Sequence, residues 1–232
     1  MAQAITLPAH VAIVPDGNRR WADLQGVPKL LGHRAGAITM HNVVDYLIDR
    51  EIKYLTLWGF STDNWKRSQE EIESLLQLLG TWIEKDAPWL NTRGVRLRHI
   101  GQIGELTQYL QLTINHAVAL TQNNSGMTLN LAFNYSGRAE IINALRRLLE
   151  EGVPSQQVDE SLFCRYLYTD GIPDVDLVIR TAGEVRLSNF MLWQTAYSEF
   201  YFTPTLWPEF STKELEKALL SYSERLRRFG GD

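Results

Sequence analysis

The chain has 232 residues, of which 44% are hydrophobic, and a formal net charge of −4. This size and composition suit one globular domain over residues 1–232, and the acidic balance argues against a nucleic-acid-binding protein. The single cysteine, Cys164, excludes an internal disulfide and a multi-cysteine metal site. We see no signal-peptide pattern and no apolar run of membrane-spanning length, so we expect a soluble, cytoplasmic protein.

Apolar runs of strand length alternate with segments of helical period along the chain. Strands are predicted at Val11–Val14, Tyr54–Phe60, Val95–Ile100, Thr128–Phe133, Leu177–Ile179 and Phe200–Thr203. Helices are predicted near residues 33–50, 69–86, 105–122, 137–151, 159–167 and 212–227. Alternation of this kind predicts βαβ units, and therefore an α/β fold with a central, mainly parallel six-stranded sheet flanked by helices.

The segment that follows the first predicted strand combines several groups that bind anions or metals. Residues 15–21 read Pro-Asp-Gly-Asn-Arg-Arg-Trp. The carboxylate of Asp16 could hold a divalent cation, and Gly17 allows a close approach of the backbone to a ligand. Arg19 and Arg20 carry forked donors that match phosphate oxygens. The pattern suggests diphosphate chemistry, and a charged turn with a helix cap is the structural alternative.

Further polar clusters follow other predicted strands, where an open α/β sheet places its ligand site. They lie at residues 61–67, 134–138 and 180–189, and the first two could equally be caps and turns. In the third cluster, Arg180, Arg186 and Ser188 bring two guanidinium groups and a hydroxyl close to a glycine. This combination suits a diphosphate.

Large aromatic residues are concentrated in one half of the chain. They are Trp58, Phe60, Trp65, Trp82 and Trp89. The simplest interpretation places them in the hydrophobic core. Some of them could instead line an apolar cleft that begins at the phosphate site.

Five segments, taken together, carry a resemblance to a known family. They are His10–Trp21, Leu57–Arg67, Leu129–Ile141, Asp176–Phe190, and Ala196–Thr203 with Leu206–Phe210. In this order they resemble the cis-prenyltransferases of the undecaprenyl diphosphate synthase family. The chain has no Asp-Asp pair, which agrees with the cis class rather than with the aspartate-rich trans synthases.

The resemblance implies a reaction and its partners. An allylic diphosphate, usually farnesyl diphosphate, is extended by isopentenyl diphosphate in the presence of Mg²⁺, and each step adds a cis double bond. The growing prenyl chain is accommodated in an apolar tunnel. The resemblance also implies a homodimer, and peripheral membrane contact through the lipid product is a further expectation.

The resemblance assigns the chemical roles to a few residues. Asp16 is the expected catalytic aspartate and Mg²⁺ ligand, and Glu199 is the expected second acidic group at the metal. Asn64 is a second catalytic candidate and, with Ser61, positions the condensing substrate and assists proton loss. Trp65 is expected in the wall near the reacting carbons.

The remaining implied residues bind substrate. The allylic diphosphate loop and its neighbours are Gly17, Asn18, Arg19, Arg20, Trp21, Lys29 and His33. The isopentenyl diphosphate subsite is Arg180, Arg186 and Ser188, and Arg67 is a further substrate-binding residue. Arg228 begins a C-terminal Arg-x-Gly element that reaches the partner subunit's site.

Departures from the family pattern leave the product length open. Arg19 stands where glycine is common, and Lys29 stands where arginine is common. The leading expectation is a medium- or long-chain product of undecaprenyl type, a lipid carrier for cell-wall synthesis in a bacterium. A short-chain synthase is one alternative. A non-catalytic subunit of a heteromeric enzyme is another, although the presence of Asp16 argues against it.

Overall fold

The computed structural model describes residues 6–225 and has one parallel sheet at its centre. The strands are β1 (His10–Val14), β2 (Tyr54–Ser61), β3 (Arg96–Ile100), β4 (Thr128–Tyr135), β5 (Leu177–Arg180) and β6 (Glu199–Phe202). Their order across the sheet is β3-β4-β2-β1-β5-β6, and every neighbouring pair is parallel. The predicted α/β fold with a mainly parallel six-stranded sheet is therefore confirmed.

Seven α-helices are described in this part of the chain. They are α1 (Asn18–Leu24), α2 (Lys29–Asp49), α3 (Gln69–Thr92), α4 (Gln108–Thr121), α5 (Gly137–Glu150), α6 (Glu160–Cys164) and α7 (Thr212–Ser223). Short 3₁₀-helices occur at Thr62–Lys66, Ile103–Glu105, Ser155–Gln157 and Trp207–Glu209. The short α1 was not predicted, and α3 runs six residues beyond its predicted end. None of the described helices has both the length and the apolar character to cross a lipid bilayer.

The central strand β1 separates two hydrophobic clusters. Val11 and Ile13 belong to the larger cluster, which also contains residues of α2, α3, α4 and α7. Ala12 and Val14 belong to the smaller cluster on the other face of the sheet, together with Phe190. Burial on both faces is typical of an inner strand of a parallel sheet.

The strand order changes direction beside β1, and this positions the site. The chain leaves β1 for β2 on one side, whereas β5 lies on the other side of β1. In open parallel sheets, ligands bind beyond the carboxyl ends of the strands at such a switch point. A ligand site is therefore expected among the residues that follow β1 and β5.

Candidate active site

A carboxylate and a buried guanidinium group meet where β1 and β5 end. Asp16 Oδ2 lies 3.0 Å from Arg180 Nη2. The Arg180 side chain is 5% exposed, whereas that of Asp16 is 35% exposed. Arg180 Nη1 also donates to Ser188 Oγ, at 2.9 Å, and to the carbonyl of Arg186. Arg180 thus ties the loop after β5 to the aspartate after β1.

The loop after β5 has an unusual backbone. Ala182, Ser188 and Asn189 have φ angles of 69°, 51° and 70°, in the left-handed region that non-glycine residues avoid. The loop is anchored by Asn189, whose carbonyl and side-chain oxygens accept hydrogen bonds from the backbone at the start of α5. The chain thus holds Ser188 and the Arg186 carbonyl against Arg180 in a fixed geometry.

Position 17 requires a glycine, because of both the backbone conformation and the close neighbouring side chains. Its φ is 108°, and a Cβ at this position would lie 2.9 Å from Leu206 Cδ2 and 3.1 Å from Ala182 Cβ. A larger residue would therefore be strained and would push apart the loops that follow β1 and β5.

Two glutamates hold the remaining guanidinium groups of the site. Arg20 Nη2 lies 3.3 Å from Glu184, which also pairs with Arg186. The second glutamate, Glu71, lies 3.6 Å from Arg19 and 3.1 Å from Arg67. Neither glutamate was among the predicted site residues. Glu184 lies within the third polar cluster, and Glu71 follows the N-cap Ser68 of α3, whose Oγ accepts a hydrogen bond from the Glu71 amide, so a sequence signal existed for each.

His33 lies in the same region as an uncharged group. Burial lowers the pKa of its imidazole to about 4, and the neighbouring Arg67 and Arg19 lower this pKa further, against the opposing effect of Glu71. Its Nε2 is buried and has no hydrogen-bond partner among residues 6–225. At neutral pH a neutral imidazole is therefore available to bond to a ligand.

The segment after β2 forms a capped turn and also lines the site. Ser61 Oγ accepts a hydrogen bond from the Asp63 amide, and Asn64 Oδ1 accepts one from the Ser61 amide, at 3.1 Å and 3.0 Å. These contacts form a capping box for the 3₁₀-helix. The structural alternative for this cluster is confirmed, and Ser61 and Asn64 also line the cavity described next. Trp65 donates its indole N–H to Asn134 Oδ1 at 2.7 Å.

These residues open into a cavity of about 350 Å³, which we call the inner cavity. Polar residues line one end, namely Asp16, Asn18, His33, Ser61, Asp63, Asn64, Arg67, Arg180 and Ser188. Apolar residues of α2 and α3 continue the lining, namely Ala37, Met40, Leu75, Leu78, Leu79 and Trp82. The inner cavity therefore suits a ligand with an anionic group and an apolar tail.

Several predicted site residues do not line the inner cavity. Arg19, Arg20 and Arg186 have side chains that are 44%, 47% and 58% exposed, each paired with a glutamate. Lys29 is exposed at the start of α2, and Trp21 is half-buried in α1. Trp65 lies beside Phe60, with their rings edge to face, and does not line the cavity itself. The predicted Arg228 lies outside the described residues.

Within one chain the structure places Glu199 away from Asp16, and the expected role of Glu199 at the metal stays a prediction. Glu199 begins β6 and pairs with Leu177, whereas Arg180 pairs with Phe202 at the other end of these strands. About 10 Å of strand therefore separates Glu199 from the edge of the sheet where Asp16 lies. Its carboxylate pairs instead with Arg225 Nη1, at 2.9 Å.

The carboxylates at the inner cavity suit a metal that arrives with a phosphate ligand. No group of three or more His, Cys, Asp or Glu side chains within residues 6–225 could hold a metal ion. Mg²⁺ usually binds through one or two carboxylates, substrate phosphates and water. Asp16 at the polar end of the cavity fits this pattern, whereas a site built from protein ligands alone does not.

Comparisons with known proteins cover nearly the whole chain. A family model described as "Putative undecaprenyl diphosphate synthase" matches residues 14–230. An isoprenyl transferase from Heliobacterium mobile is 46% identical over 97% of this chain and 88% of its own. A ditrans,polycis-undecaprenyl-diphosphate synthase, (2E,6E)-farnesyl-diphosphate specific, from Legionella pneumophila is 41% identical over 97% of this chain and 96% of its own.

A solved structure with a similar fold extends the comparison. It is the crystal structure of lavandulyl diphosphate synthase from Lavandula x intermedia in complex with dimethylallyl diphosphate. It matches this chain with a TM-score of 0.93 and 39% identity, over 97% of this chain and 98% of the other. The similarity therefore includes the sheet, the helices and the strand ends that carry the site.

Proposed function

The chain belongs to the undecaprenyl diphosphate synthase family of prenyl transferases, and we propose that it extends farnesyl diphosphate with isopentenyl diphosphate. The proposed product is a medium- or long-chain Z-polyprenyl diphosphate of undecaprenyl type. The observation that carries this proposal is the inner cavity, with the Asp16–Arg180 pair at one end and apolar helix residues beyond it. A prenyl diphosphate combines these two chemistries in one molecule. The name of the Legionella relative supports the farnesyl primer.

The resemblance assigned Arg180 to the isopentenyl diphosphate subsite, but its contact with Asp16 favours a different role in this proposal, in which Arg180 stabilises the leaving diphosphate. When the allylic C–O bond breaks, positive charge develops on carbon and negative charge on the diphosphate. Arg180 is almost fully buried, and its Nε has no hydrogen-bond partner among residues 6–225. A fixed and buried guanidinium group stabilises developing negative charge strongly. Neutral His33 adds a hydrogen bond to a phosphate oxygen without adding charge.

We assign the Mg²⁺ ligand of the protein to Asp16, with diphosphate oxygens among the remaining ligands. When bound, Mg²⁺ supplies further charge stabilisation to the leaving diphosphate. Asp16 is more exposed than its partner Arg180, and its second carboxylate oxygen, Oδ1, lies 3.8 Å from Arg20 Nη2. A cation held by Asp16 would lie close to Arg180 and would add to the charge stabilisation of the same leaving group.

The second substrate binds, in this proposal, to the loop after β5. Arg186 and Ser188 hold the diphosphate of isopentenyl diphosphate, and Ser61 and Asn64 orient its double bond towards the allylic carbon. A C–C bond then forms, and loss of a proton from the isopentenyl group creates the new double bond. The capping box fixes Ser61 and Asn64 relative to each other, which supports a positioning role.

A product assay tests the proposed function. The protein is incubated with farnesyl diphosphate, isopentenyl diphosphate and Mg²⁺, and the product mass is measured. A short-chain synthase that starts from dimethylallyl diphosphate is a second candidate. It is favoured by the complex of the lavandulyl enzyme and by the inner cavity of about 350 Å³, near the lower end of ligand sites. Parallel reactions with both primers separate the two candidates, and the absence of any product contradicts both.

The exposed face of α5 supports a homodimer. Ile142, Leu145 and Leu149 lie on one side of this helix and are 47%, 46% and 70% exposed. A contiguous apolar stripe of this kind on a surface helix marks a protein interface. We propose that it packs against the same stripe of a second copy, as in an isologous dimer.

One face of α2 supports peripheral membrane contact. Leu31 and Ile38 are 41% and 66% exposed, and the exposed Arg34 lies between them on the same face. We propose that this face contacts an anionic lipid surface, since apolar and basic side chains together favour it. The test is cosedimentation with anionic vesicles, in which Ile38→Ser should weaken binding. Leu112→Ser is the control, because Leu112 is exposed on α4 rather than on α2, and it should leave binding unchanged. Equal binding by both variants contradicts the assignment.

A further inference from the structure

The main chain of Asp16 is held by one buried hydroxyl group at the end of the neighbouring strand. Thr181 follows β5 directly. Its Oγ1 accepts a hydrogen bond from the Asp16 amide at 2.8 Å and donates one to the Asp16 carbonyl at 2.7 Å. A hydroxyl group can be donor and acceptor at once, so this single side chain binds both main-chain polar groups of the aspartate.

Arg180 and Thr181 hold the two halves of the same aspartate from consecutive positions in the chain. Arg180 Nη2 lies 3.0 Å from the Asp16 carboxylate, and the Thr181 hydroxyl binds the Asp16 main chain. The direction of a short side chain is set by the backbone that carries it, so an ion pair at the carboxylate alone does not fix the position of Asp16. The two contacts together connect this position to the end of β5.

Thr181 acts on the site only through Asp16. The residue is fully buried, with 0% of its surface exposed, and it does not line the inner cavity. A ligand in the cavity therefore does not touch it. Gly17, the next residue after Asp16, has the largest backbone freedom of any residue type, so the shape of this turn depends on contacts such as those of Thr181.

We propose that the Thr181 hydroxyl is a positioning group that sets the Asp16 carboxylate for Mg²⁺ and the leaving diphosphate. This inference rests on the proposed function, in which Asp16 is the Mg²⁺ ligand of the protein. Misplacement of a reacting group by about 1 Å can lower the rate by about 10²-fold. Loss of the hydroxyl should therefore affect the use of Mg²⁺ and the chemical step rather than the binding of isopentenyl diphosphate.

The fold should tolerate loss of this hydroxyl, because each main-chain group of Asp16 keeps a second partner. The Asp16 amide also donates to the Val14 carbonyl at 3.0 Å, and the Asp16 carbonyl also accepts from the Trp207 amide at 3.0 Å. Thr181→Val replaces the hydroxyl with a methyl group of similar size. This variant therefore loosens Asp16 without leaving either of its main-chain groups unpaired.

Thr121→Val is the matched control. Thr121 is also fully buried, and its Oγ1 likewise accepts from a backbone amide, that of Leu97 at 3.0 Å, and donates to a carbonyl, that of Ala117 at 2.9 Å. Leu97 lies near the start of β3, so this contact is at the end of the parallel sheet opposite Asp16. Thr181→Ser keeps the hydroxyl, and Thr181→Ala removes it by a second route.

Each purified variant is assayed with farnesyl diphosphate, isopentenyl diphosphate and varied Mg²⁺. Thr181→Val and Thr181→Ala should lower kcat by about 10- to 100-fold and raise the Mg²⁺ concentration that gives the half-maximal rate, with little change in KM for isopentenyl diphosphate. Thr181→Ser should restore most of the rate. Thr121→Val should keep both kcat and the Mg²⁺ dependence of the unmodified protein.

Melting temperatures give a second measurement that does not depend on turnover. They are compared with and without farnesyl diphosphate and Mg²⁺, in the absence of isopentenyl diphosphate. Without these ligands, Thr181→Val and Thr121→Val should lower the melting temperature to a similar extent, since each loses one buried hydroxyl. The rise on addition of the two ligands should be smaller in Thr181→Val than in Thr121→Val, because the ligands stabilise the folded protein through Asp16.

The outcomes separate this inference from the proposed function. An unmodified protein that forms no product refutes the proposed function. An active protein whose Thr181→Val and Thr181→Ala variants keep normal kcat and Mg²⁺ dependence refutes the positioning role and leaves the proposed function intact. An equal loss in Thr181→Ser and Thr181→Val also refutes this role, because the hydroxyl is then not the group that matters. If Thr181→Val does not fold, the alanine and serine variants decide the outcome.

Discussion

The contact between Asp16 and Arg180 leads to a prediction for Asp16→Asn. This substitution keeps the shape of the side chain and removes its charge. Arg180 loses a charged partner at 3.0 Å but keeps Ser188 Oγ and the Arg186 carbonyl. Hydrogen bonds to charged groups contribute about 1.5–3 kcal/mol, and partial exposure of Asp16 reduces this to about 1 kcal/mol. We therefore expect the melting temperature to fall by only about 2–4 °C.

The expected effect on activity is much larger than the effect on stability. Asp16→Asn removes the proposed metal ligand of the protein at the leaving diphosphate. Loss of one preorganised charge-stabilising group typically lowers kcat by about 10²–10³-fold. We expect at least this loss for isopentenyl incorporation at saturating farnesyl diphosphate and Mg²⁺. Melting curves measured on the same preparations show that the loss does not come from unfolding.

Asp63→Asn is the matched control for this prediction. Asp63 also lines the inner cavity, but its carboxylate pairs with Lys66 Nζ at 2.7 Å and its side chain is 61% exposed. This variant should retain near-normal kcat. Near-normal turnover of Asp16→Asn would refute the metal assignment. An equal loss in both variants would show that the total negative charge matters rather than the position of Asp16.

Three further predictions concern the second substrate, the dimer and pH. Arg186→Ala should raise KM for isopentenyl diphosphate in steady-state assays, and an effect confined to farnesyl diphosphate would mean that the subsites are exchanged. Leu145→Glu should convert the proposed dimer to a monomer in light scattering, and a dimer that this variant leaves unchanged would exclude α5 as the interface. Burial lowers the pKa of His10 from 6.5 to about 4. Between these two pH values the unfolded chain binds more protons than the folded protein, so the free energy of unfolding falls as the pH falls. In urea titrations across this window, His10→Gln should reduce that slope by up to about 1.4 kcal/mol per pH unit.

The sheet was predictable because its strands carry a strong local signal. β1 and β5 are short runs of buried apolar residues, which is typical of inner parallel strands. Helix α1 was missed because Gly17 precedes it at positive φ and no side chain caps its first turn. Helix α3 continues through Pro88, a residue that normally ends a helix, and tertiary packing overrides the local preference there.

The site was predictable in its residue types and only partly in its geometry. The order of the motifs brought Asp16, Arg180 and Ser188 to one end of the sheet, because parallel strands align their carboxyl ends. The predicted strand Phe200–Thr203 already placed Glu199 at the start of a strand, and the parallel register of β6 against β5 puts that start at the end of the sheet opposite Asp16. Trp82 was assigned to the core or to a cleft, and the structure shows that it is buried and also lines the inner cavity.

The backbone of the loop after β5 has a consequence for affinity. Left-handed conformations at Ala182, Ser188 and Asn189 cost about 1–2 kcal/mol each, and the chain holds them through contacts with Arg180 and α5. A loop that already has this shape loses little conformational entropy when an anion binds to it. Preorganisation of this kind transfers part of the folding free energy into affinity for a ligand, so we expect this loop to be less stable than it could be and to bind the proposed diphosphate more tightly for that reason.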